Sequence, residues 1–438
     1  MPGRMSWLDE HPEIDAVCTA IADLNGQARG KRIPRATAGK AFDGLAKMPL
    51  SALNVDILGR DIEDSPLVFE TGDRDGVLRP TERGPVPMPW LEGHVALLPM
   101  GLFTDDGAPF AGDPRHALAS VLASYSARGW SVTAATEMEF YLEEDAPGPL
   151  ATRLGEGSEI LSLQALEAHD AFFAELYDTC AAMGIAADAA SSEAAPGQFE
   201  INMKHCDAMR AADDAWLFKM AVKGVARRHG MHATFMAKPF PDESGTGLHV
   251  HFSVTDADGR NVFDDGTDAG SDVMRHSVAG CLEAMAASTL IFAPYANSYA
   301  RLVPDAHAPT GVCWAYENRT ASLRIPASPG TARRVEHRVA GGDCNPYLLL
   351  AVILGSALDG IERGLQPPPV IEGNAYALDL PGLASDWAEA IDAFATSAAF
   401  GYLPDLLRDN LVRTKRQEKA LVEGMTEPEL RNLHFDRA

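Results

Sequence analysis

Along this chain the spacing of apolar and polar positions alternates between two periods, and the changes of period map the elements. Period two marks strands, whose successive side chains point to opposite faces, and a 3.6-residue period marks helices. Residues 14–33 start apolar and β-branched, pass through Asn25-Gly26 and resume at Arg29-Gly30-Lys31, which predicts strand, turn, strand. The stretch 73–89 is dense in Gly, Pro, Arg and Asp and reads as loop, while 94–102 reads as a strand. Asp105-Asp106-Gly107 and Asp113-Pro114-Arg115 then punctuate the chain, and a domain boundary is expected there, giving residues 1–108 and 109–438.

Beyond it, 114–128 predicts a helix and 130–142 a strand. Residues 166–184 carry Phe172, Phe173, Leu176, Cys180 and Met183 at helical spacing, and 212–229 is a second amphipathic candidate. The clearest helix has Asn345 as N-cap, Pro346 at its first position, an apolar body and Gly364 as its stop. Residues 366–369 form a proline-rich loop. Residues 403–423 read as a charged surface helix, and Thr426 with Glu429 makes a capping box for a short final helix.

The same period of two gathers chemistry onto single faces. Gly245-Thr246-Gly247 is a flexible turn feeding a strand on which His249, His251 and Ser253 share a face. Glu137 and Glu139 share a face of the strand 130–142, where they repel unless something positive lies between them. Glu193 and Glu200 bracket a Pro196-Gly197 turn, and Glu336-His337-Arg338 puts a carboxylate beside a guanidinium. Arg301, Arg319, Arg324, Arg333, Arg334 and Arg338 cluster in one stretch, as recognition of carboxylate or phosphate requires. Singly, each has a bland reading as an exposed strand face, a solvated turn or a surface ion pair. Together they give five glutamates and a histidine as metal candidates. Oxygen-dominated ligation selects Mg²⁺ or Mn²⁺ over zinc, and two such ions beside arginines suit phosphoryl transfer from ATP. No Walker A or G-x-G-x-x-G sequence is present, so a P-loop or Rossmann nucleotide site is not expected.

Composition narrows the class. A chain of 438 residues exceeds one ordinary core. Its net charge of −25 argues against nucleic acid and anionic membrane as partners. Six cysteines without C-x-x-C spacing suggest reduced thiols and a cytoplasmic setting. The N-terminal stretch lacks the apolar run of a secretory signal, and 347–354 is too short to span a bilayer.

In order along the chain stand Glu137-Met138-Glu139-Phe140, Gly197-Gln198-Phe199-Glu200, Thr234-Phe235-Met236-Ala237-Lys238-Pro239 and Gly245-Thr246-Gly247-Leu248-His249-Val250-His251. Later come Asn297-Ser298-Tyr299-Ala300-Arg301-Leu302-Val303-Pro304, Asn318-Arg319 through Arg324-Ile325-Pro326, Arg334-Val335-Glu336-His337-Arg338 and Asn345-Pro346-Tyr347-Leu348. With these motifs the chain resembles the glutamine synthetases along nearly its whole length. The resemblance implies an α+β fold: an N-terminal β-grasp domain plus a larger catalytic domain with a curved antiparallel sheet flanked by helices. It implies one metal held by Glu139, Glu193 and Glu200 and another by Glu137, His249 and Glu336. His251, Ser253, Arg319, Arg324 and Arg334 match nucleotide or phosphate positions, and Gly245, Arg301 and Arg338 match positions that hold glutamate. Arg301, His307 and Arg319 stand at catalytic positions. The implied assembly is a homo-oligomer, a dodecamer of two stacked hexameric rings with shared active sites.

Departures narrow the expectation further. In the family the loop after Arg-Leu-Val-Pro carries a glutamate that helps deprotonate ammonium; here it reads Asp305-Ala306-His307-Ala308-Pro309. The family's Asp-Gly-Ser-Ser stretch is replaced by Asp56-Ile57-Leu58-Gly59-Arg60, and Ser244 stands where glutamate-requiring members often have Asn. Tyr376 lies near the residue adenylylated in some bacterial members, within a different surrounding sequence. The expected function is an ATP-dependent ligase that phosphorylates the γ-carboxylate of glutamate and condenses it with an organic amine, as in the γ-glutamylamide and γ-glutamylpolyamine synthetases. The alternatives are an ammonia-using glutamine synthetase and a non-catalytic sensor or assembly protein.

Overall fold

The computed structural model describes residues 6–144 and 160–438. Two sheets organise it. The first contains β1 (Ala16–Ala22), β2 (Ala28–Pro34), β3 (Ala46–Pro49), β4 (Asp75–Pro80), β5 (Val86–Pro87) and β6 (Val95–Phe103), in the order β2-β1-β6-β4-β3 with β5 beside β6. β1 and β2 form the hairpin expected at 14–33, and β1 runs parallel to β6.

The second sheet carries the chemistry. It contains β7 (Ser131–Glu144), β8 (Ala187–Ser192), β9 (Gln198–Met203), β10 (Cys206–Asp207), β11 (Met231–Thr234), β12 (Leu248–Thr255), β13 (Trp314–Tyr316), β14 (Leu323–Ile325) and β15 (Val335–His337). Its main path is β13-β14-β15-β12-β7-β9-β8, antiparallel except for the β13–β14 pair. On β7 buried and half-buried positions alternate from Val132 to Phe140, so one face packs on helices and the other is left for ligands.

The helices behave as their caps dictate. Asn345 accepts hydrogen bonds from the Tyr347 and Leu348 amides to start the helix Pro346–Arg363, and Gly364 ends it at φ 62°. That helix packs on Asp272–Ala284 so closely that a β-carbon on Gly280 would lie 2.8 Å from the Gly360 Cα. The final helix, Glu427–His434, has the reciprocal Thr426–Glu429 capping box. Among the described residues no helix is long and apolar enough to cross a membrane.

Four elements differ from expectation. The stretch 73–89 contains β4 and β5, because Leu78 and Val86 reach the core while the prolines fall at strand ends. The helix expected at 166–184 divides into Leu163–Glu167 and Asp170–Ala182 around His169. The next helix starts early, at Ala208, because the Asp207 carboxylate caps the Met209 and Arg210 amides. The helix Asp405–Val422 is more than a charged surface helix: Asn410, Thr414, Lys415 and Glu418 are buried along one face. Lys415 Nζ donates to Glu418 Oε2 at 2.8 Å and to Asn25 Oδ1 at 2.5 Å, and Asn25 Nδ2 donates to Glu418 Oε1 at 2.7 Å. Charged residues at amphipathic spacing read as solvated; only this mutual pairing with the β1–β2 turn makes their burial tolerable.

Candidate active site

The register of the second sheet assembles the site. β7 sets Glu137 opposite His249 of β12 and Glu139 opposite Glu200 of β9. β15 sets Glu336 opposite His251 of β12 and Arg324 of β14. Directly opposed residues project to the same face, so five adjacent strands bring carboxylates, imidazoles and a guanidinium together.

Glu137 is the hub. Its Oε2 lies 3.2 Å from His249 Nδ1 and its Oε1 2.9 Å from His251 Nε2. Burial opposes ionisation of Glu137, but the two imidazoles outweigh it and hold the carboxyl far below the usual carboxylate range. Glu336 is fully buried and is pinned by Arg324 Nη1 at 2.7 Å and by Arg338 Nη1. There too burial raises the carboxyl, and Arg338, the two histidines and Arg324 lower it further than burial raises it. Arg334 Nε reaches His251 Nδ1 at 3.2 Å.

The other carboxylates are pushed the opposite way. Burial first, then the charges of Glu139 and Glu137, raise Glu193 to about 7 and Glu200 to about 9. Glu139 accepts from the Gly247 amide at 2.7 Å and from Gln198 Nε2 at 3.2 Å. Gln198 also donates to the Gly245 carbonyl at 2.9 Å, which ties the β9 turn to the glycine turn before β12. Arg301, 4% exposed, donates to the Val339 carbonyl at 2.6 Å and lies against Gly245 and Gly247.

The donor set fits divalent cations. Glu137, Glu200 and His249 form one group whose ligand atoms lie within 4.8 Å of one another, and Glu137, His251 and Glu336 form a second. His251 Nε2 is buried and, although close to Glu137, has no hydrogen-bond partner. A carboxyl raised by burial and by neighbouring carboxylates, as Glu200 is, beside two imidazoles that share one carboxylate, is what a hard cation would relieve. The grouping crosses the two sets implied by the resemblance: Glu137 belongs to both groups, Glu200 joins His249, and Glu336 joins His251. Glu139 and Glu193 belong to neither three-residue group.

The other expected residues fall at varied distances from this centre. Ser253, with Glu137, His251 and Arg334, lines a cavity of about 660 Å³. Arg338 Nε donates to the Arg319 carbonyl at 3.2 Å, but the Arg319 guanidinium is exposed and has no partner among the described residues. His307 is exposed on the loop after Arg301, and no described residue bonds its ring. Asp56 is 1% exposed. Its carboxylate accepts from the Leu58 and Arg60 amides and from Gln417 Nε2, so its oxygens are occupied within its own turn and by the helix Asp405–Val422.

Gln198 and Gly247 were not among the residues singled out. A β-carbon on Gly247 would lie 3.0 Å from Arg301 Nη2, 3.2 Å from Glu139 Oε1 and 3.2 Å from His249 Nε2. Its signal in the sequence is the pair of glycines flanking Thr246.

A nine-stranded sheet flanked by helices presents two carboxylate–histidine groups beside arginines, an arrangement suited to divalent cations and to anions. Residues 111–432 match the family model "Glutamine synthetase, catalytic domain", and the chain belongs to the glutamine synthetase family. It is 36% identical over 379 residues to the gamma-glutamylputrescine synthetase PuuA of Escherichia coli, covering 84% of this chain and 80% of that one. It is 35% identical over 391 residues to the glutamine synthetase of Thermus thermophilus, 85% of each chain. It is 32% identical over 407 residues to the gamma-glutamylethanolamide synthetase GlnA4 of Streptomyces coelicolor, covering 89% and 86%. The solved structure of a GmaS/ADP complex superposes with a TM-score of 0.86 at 29% identity, covering 99% of each chain. The fold is accordingly the expected α+β one, with a curved sheet flanked by helices.

Proposed function

We propose that this chain is an ATP-dependent glutamate–amine ligase. Its reaction would join the γ-carboxylate of glutamate to an organic amine with release of ADP and phosphate. The observation that carries the reading is the Glu137-centred basin, with Arg324, Arg334 and Arg338 on its rim and a cavity beside it. Membership of a family whose similar members include amine-specific synthetases supports the choice of acceptor.

Glu137, Glu139, Glu193, Glu200, His249 and Glu336 would hold Mg²⁺ or Mn²⁺. Bound there, such ions supply the positive charge that neutralises the phosphates of ATP. Arg324 and Arg334, with His251 and Ser253, would face the nucleotide. Arg301, against the Gly245 turn, and Arg338, beside Glu336, would take the carboxylates of glutamate. Arg319, whose guanidinium has no partner among the described residues, would serve the transferring phosphoryl group. A γ-carboxylate oxygen attacks the terminal phosphorus of ATP and ADP leaves, giving an acyl phosphate. The amine nitrogen then attacks the activated carbonyl, the carbon–oxygen bond to phosphate breaks, and the nitrogen gives up one proton. His307, on the loop that follows Arg301, would take it, since an imidazole nitrogen can accept a proton.

The choice of amine over ammonium has a physical basis. Trapping ammonium calls for carboxylates, and here the loop offers an imidazole while Asp56 is committed to its own turn. A homo-oligomer of two stacked hexameric rings in the cytoplasm fits the same reading.

The test is phosphate release from ATP with Mg²⁺ and glutamate across ammonium, methylamine, ethanolamine, isopropylamine and putrescine. Turnover with one organic amine at least tenfold above ammonium is expected. Best turnover with ammonium would return the chain to glutamine synthesis, as in the Thermus relative. ATP binding without turnover on any amine would point to a non-catalytic assembly.

A further inference from the structure

His307 sits in a loop that local preferences do not favour. Asp305 and His307 both adopt left-handed backbone, at φ 62° and 58°. For residues with a β-carbon this costs on the order of 1 kcal/mol each, so contacts from elsewhere must impose it. His307 itself makes no hydrogen bond among the described residues. The restraint comes from a segment about seventy residues further on.

The Tyr376 hydroxyl donates to the Ala308 carbonyl at 3.0 Å, one residue past His307. Two backbone hydrogen bonds stitch the two segments together as an antiparallel bridge between Gly311 and Gly382: Val312 N–H to the Pro381 carbonyl at 2.7 Å, and Leu383 N–H to the Thr310 carbonyl at 3.2 Å. The turn that carries Tyr376 is itself anchored to the loop of Arg319. Asn318 Nδ2 donates to the Gly373 carbonyl at 2.6 Å, and the Ala375 amide donates to Thr320 Oγ1 at 2.9 Å. Tyr376 is half-buried. Burial raises its phenol, while Arg301 and Arg338 pull the other way, which puts the ring within electrical reach of the arginines assigned to glutamate. The turn at 373–376 is therefore tied at once to the loop of Arg319 and the loop of His307.

We propose that Tyr376 is a positioning residue: its hydroxyl holds the Ala308 carbonyl so that the strained loop presents His307 to the acceptor amine. This rests on the reading of His307 as the group that takes the amine's proton. Tyr376 need not touch substrate; it acts through His307.

The test is a double-mutant cycle on the full-length enzyme, with the best amine from the panel above. Tyr376→Phe removes one oxygen and keeps the ring, so the melting temperature should stay within about 2 °C. The expected loss is about tenfold in kcat/KM for the amine, with KM for ATP and glutamate unchanged. Added to His307→Ala, Tyr376→Phe should cost nothing more, because the group it positions has gone. The pH at which amine turnover rises should also shift in Tyr376→Phe. A full additional loss in the His307→Ala background would overturn the proposal, as would an equal rise in KM for ATP. If His307→Ala leaves amine turnover intact, the acceptor reading of His307 falls and the proposal with it. If His307→Ala is crippled while Tyr376→Phe matches wild type, only the proposal falls.

Discussion

Two buried charged regions of this protein are built on opposite plans. Where the β1–β2 turn meets the helix Asp405–Val422, Lys415, Glu418 and Asn25 close on one another, and each charged atom has a partner at 2.5–2.8 Å. On the catalytic sheet, Glu137, Glu139, Glu193 and Glu200 crowd together, two of them raised to about 7 and 9 by burial and each other's charge. Charge arranged for folding is neutralised within the chain. Charge arranged for binding is left unbalanced, and a ligand must complete it.

The sharpest break of this contrast lies at its hubs. Glu137→Ala removes the carboxylate common to both ligand groups, and amine-dependent phosphate release should fall by about 10²–10³-fold or more while the fold survives. Retained turnover would remove Glu137 from the site. Glu418→Ala should do the reverse: it strands the Lys415 ammonium in the interior and should cost about 3–5 kcal/mol of stability in denaturant unfolding. Glu200→Gln, by contrast, replaces a carboxyl already held neutral at pH 7 by a neutral amide, and should leave the cation-free protein about as stable as wild type. If Glu200→Gln destabilised as much as Glu418→Ala, the two regions would not differ in kind.

The basin should also show itself through pH. Glu193 and Glu200 have folded-state values raised above the ordinary glutamate range, so their contribution to stability is present in acid and is lost as pH rises through about 7 and 9. A divalent cation competes with those protons. Thermal unfolding with and without Mn²⁺ should give a stabilisation that widens from pH 6 to pH 8.5, and calorimetry should detect protons released on binding. A stabilisation independent of pH would contradict the repulsion.

A smaller effect is expected at Gly247. An added methyl would meet the tips of Arg301, Glu139 and His249 at 3.0–3.2 Å. Those tips can move by a few tenths of an ångström. Gly247→Ala should therefore lower turnover by about 10- to 100-fold with little change in melting temperature. Unaltered kinetics would mean that these three groups tolerate displacement.

How much of this was legible beforehand follows from the range of each interaction. The β1–β2 hairpin, the strand under Glu137 and the helix behind Asn345 were visible, because turn residues, period two and caps act over a few residues. Their side chains meet where the strand register puts them, so His249, His251 and Glu336 converge on Glu137 as the alternation suggested. The strands in 73–89 were hidden, because proline and glycine at strand ends look the same as a loop. The buried face of Asp405–Val422 was hidden because Lys415 and Glu418 are partnered by Asn25, almost four hundred positions away. Gln198 and Gly247 act through one amide and a missing methyl, which no local pattern distinguishes from an ordinary turn.

The weakest test of the comparison sits on the same helix interface. His434 is 1% exposed, its ring centroid is 4.7 Å from that of Tyr295, and neither ring nitrogen has a hydrogen-bond partner. Burial, then Lys415 and Arg437, hold it down to about 3, and burial then His249 hold His337 to about 3 as well. Unfolded histidine titrates near 6.5, so the stability these residues allow is full above that pH and is lost as pH falls towards 3. His434→Leu keeps the volume and removes one such group. At pH 7.5 the variant should match wild type, and at pH 5.5 it should be about 1 kcal/mol more stable in urea unfolding. An unchanged acid limb would mean that His434 already finds a proton partner in solution, and that the interface is less completely closed than the Lys415–Glu418–Asn25 pairing indicates.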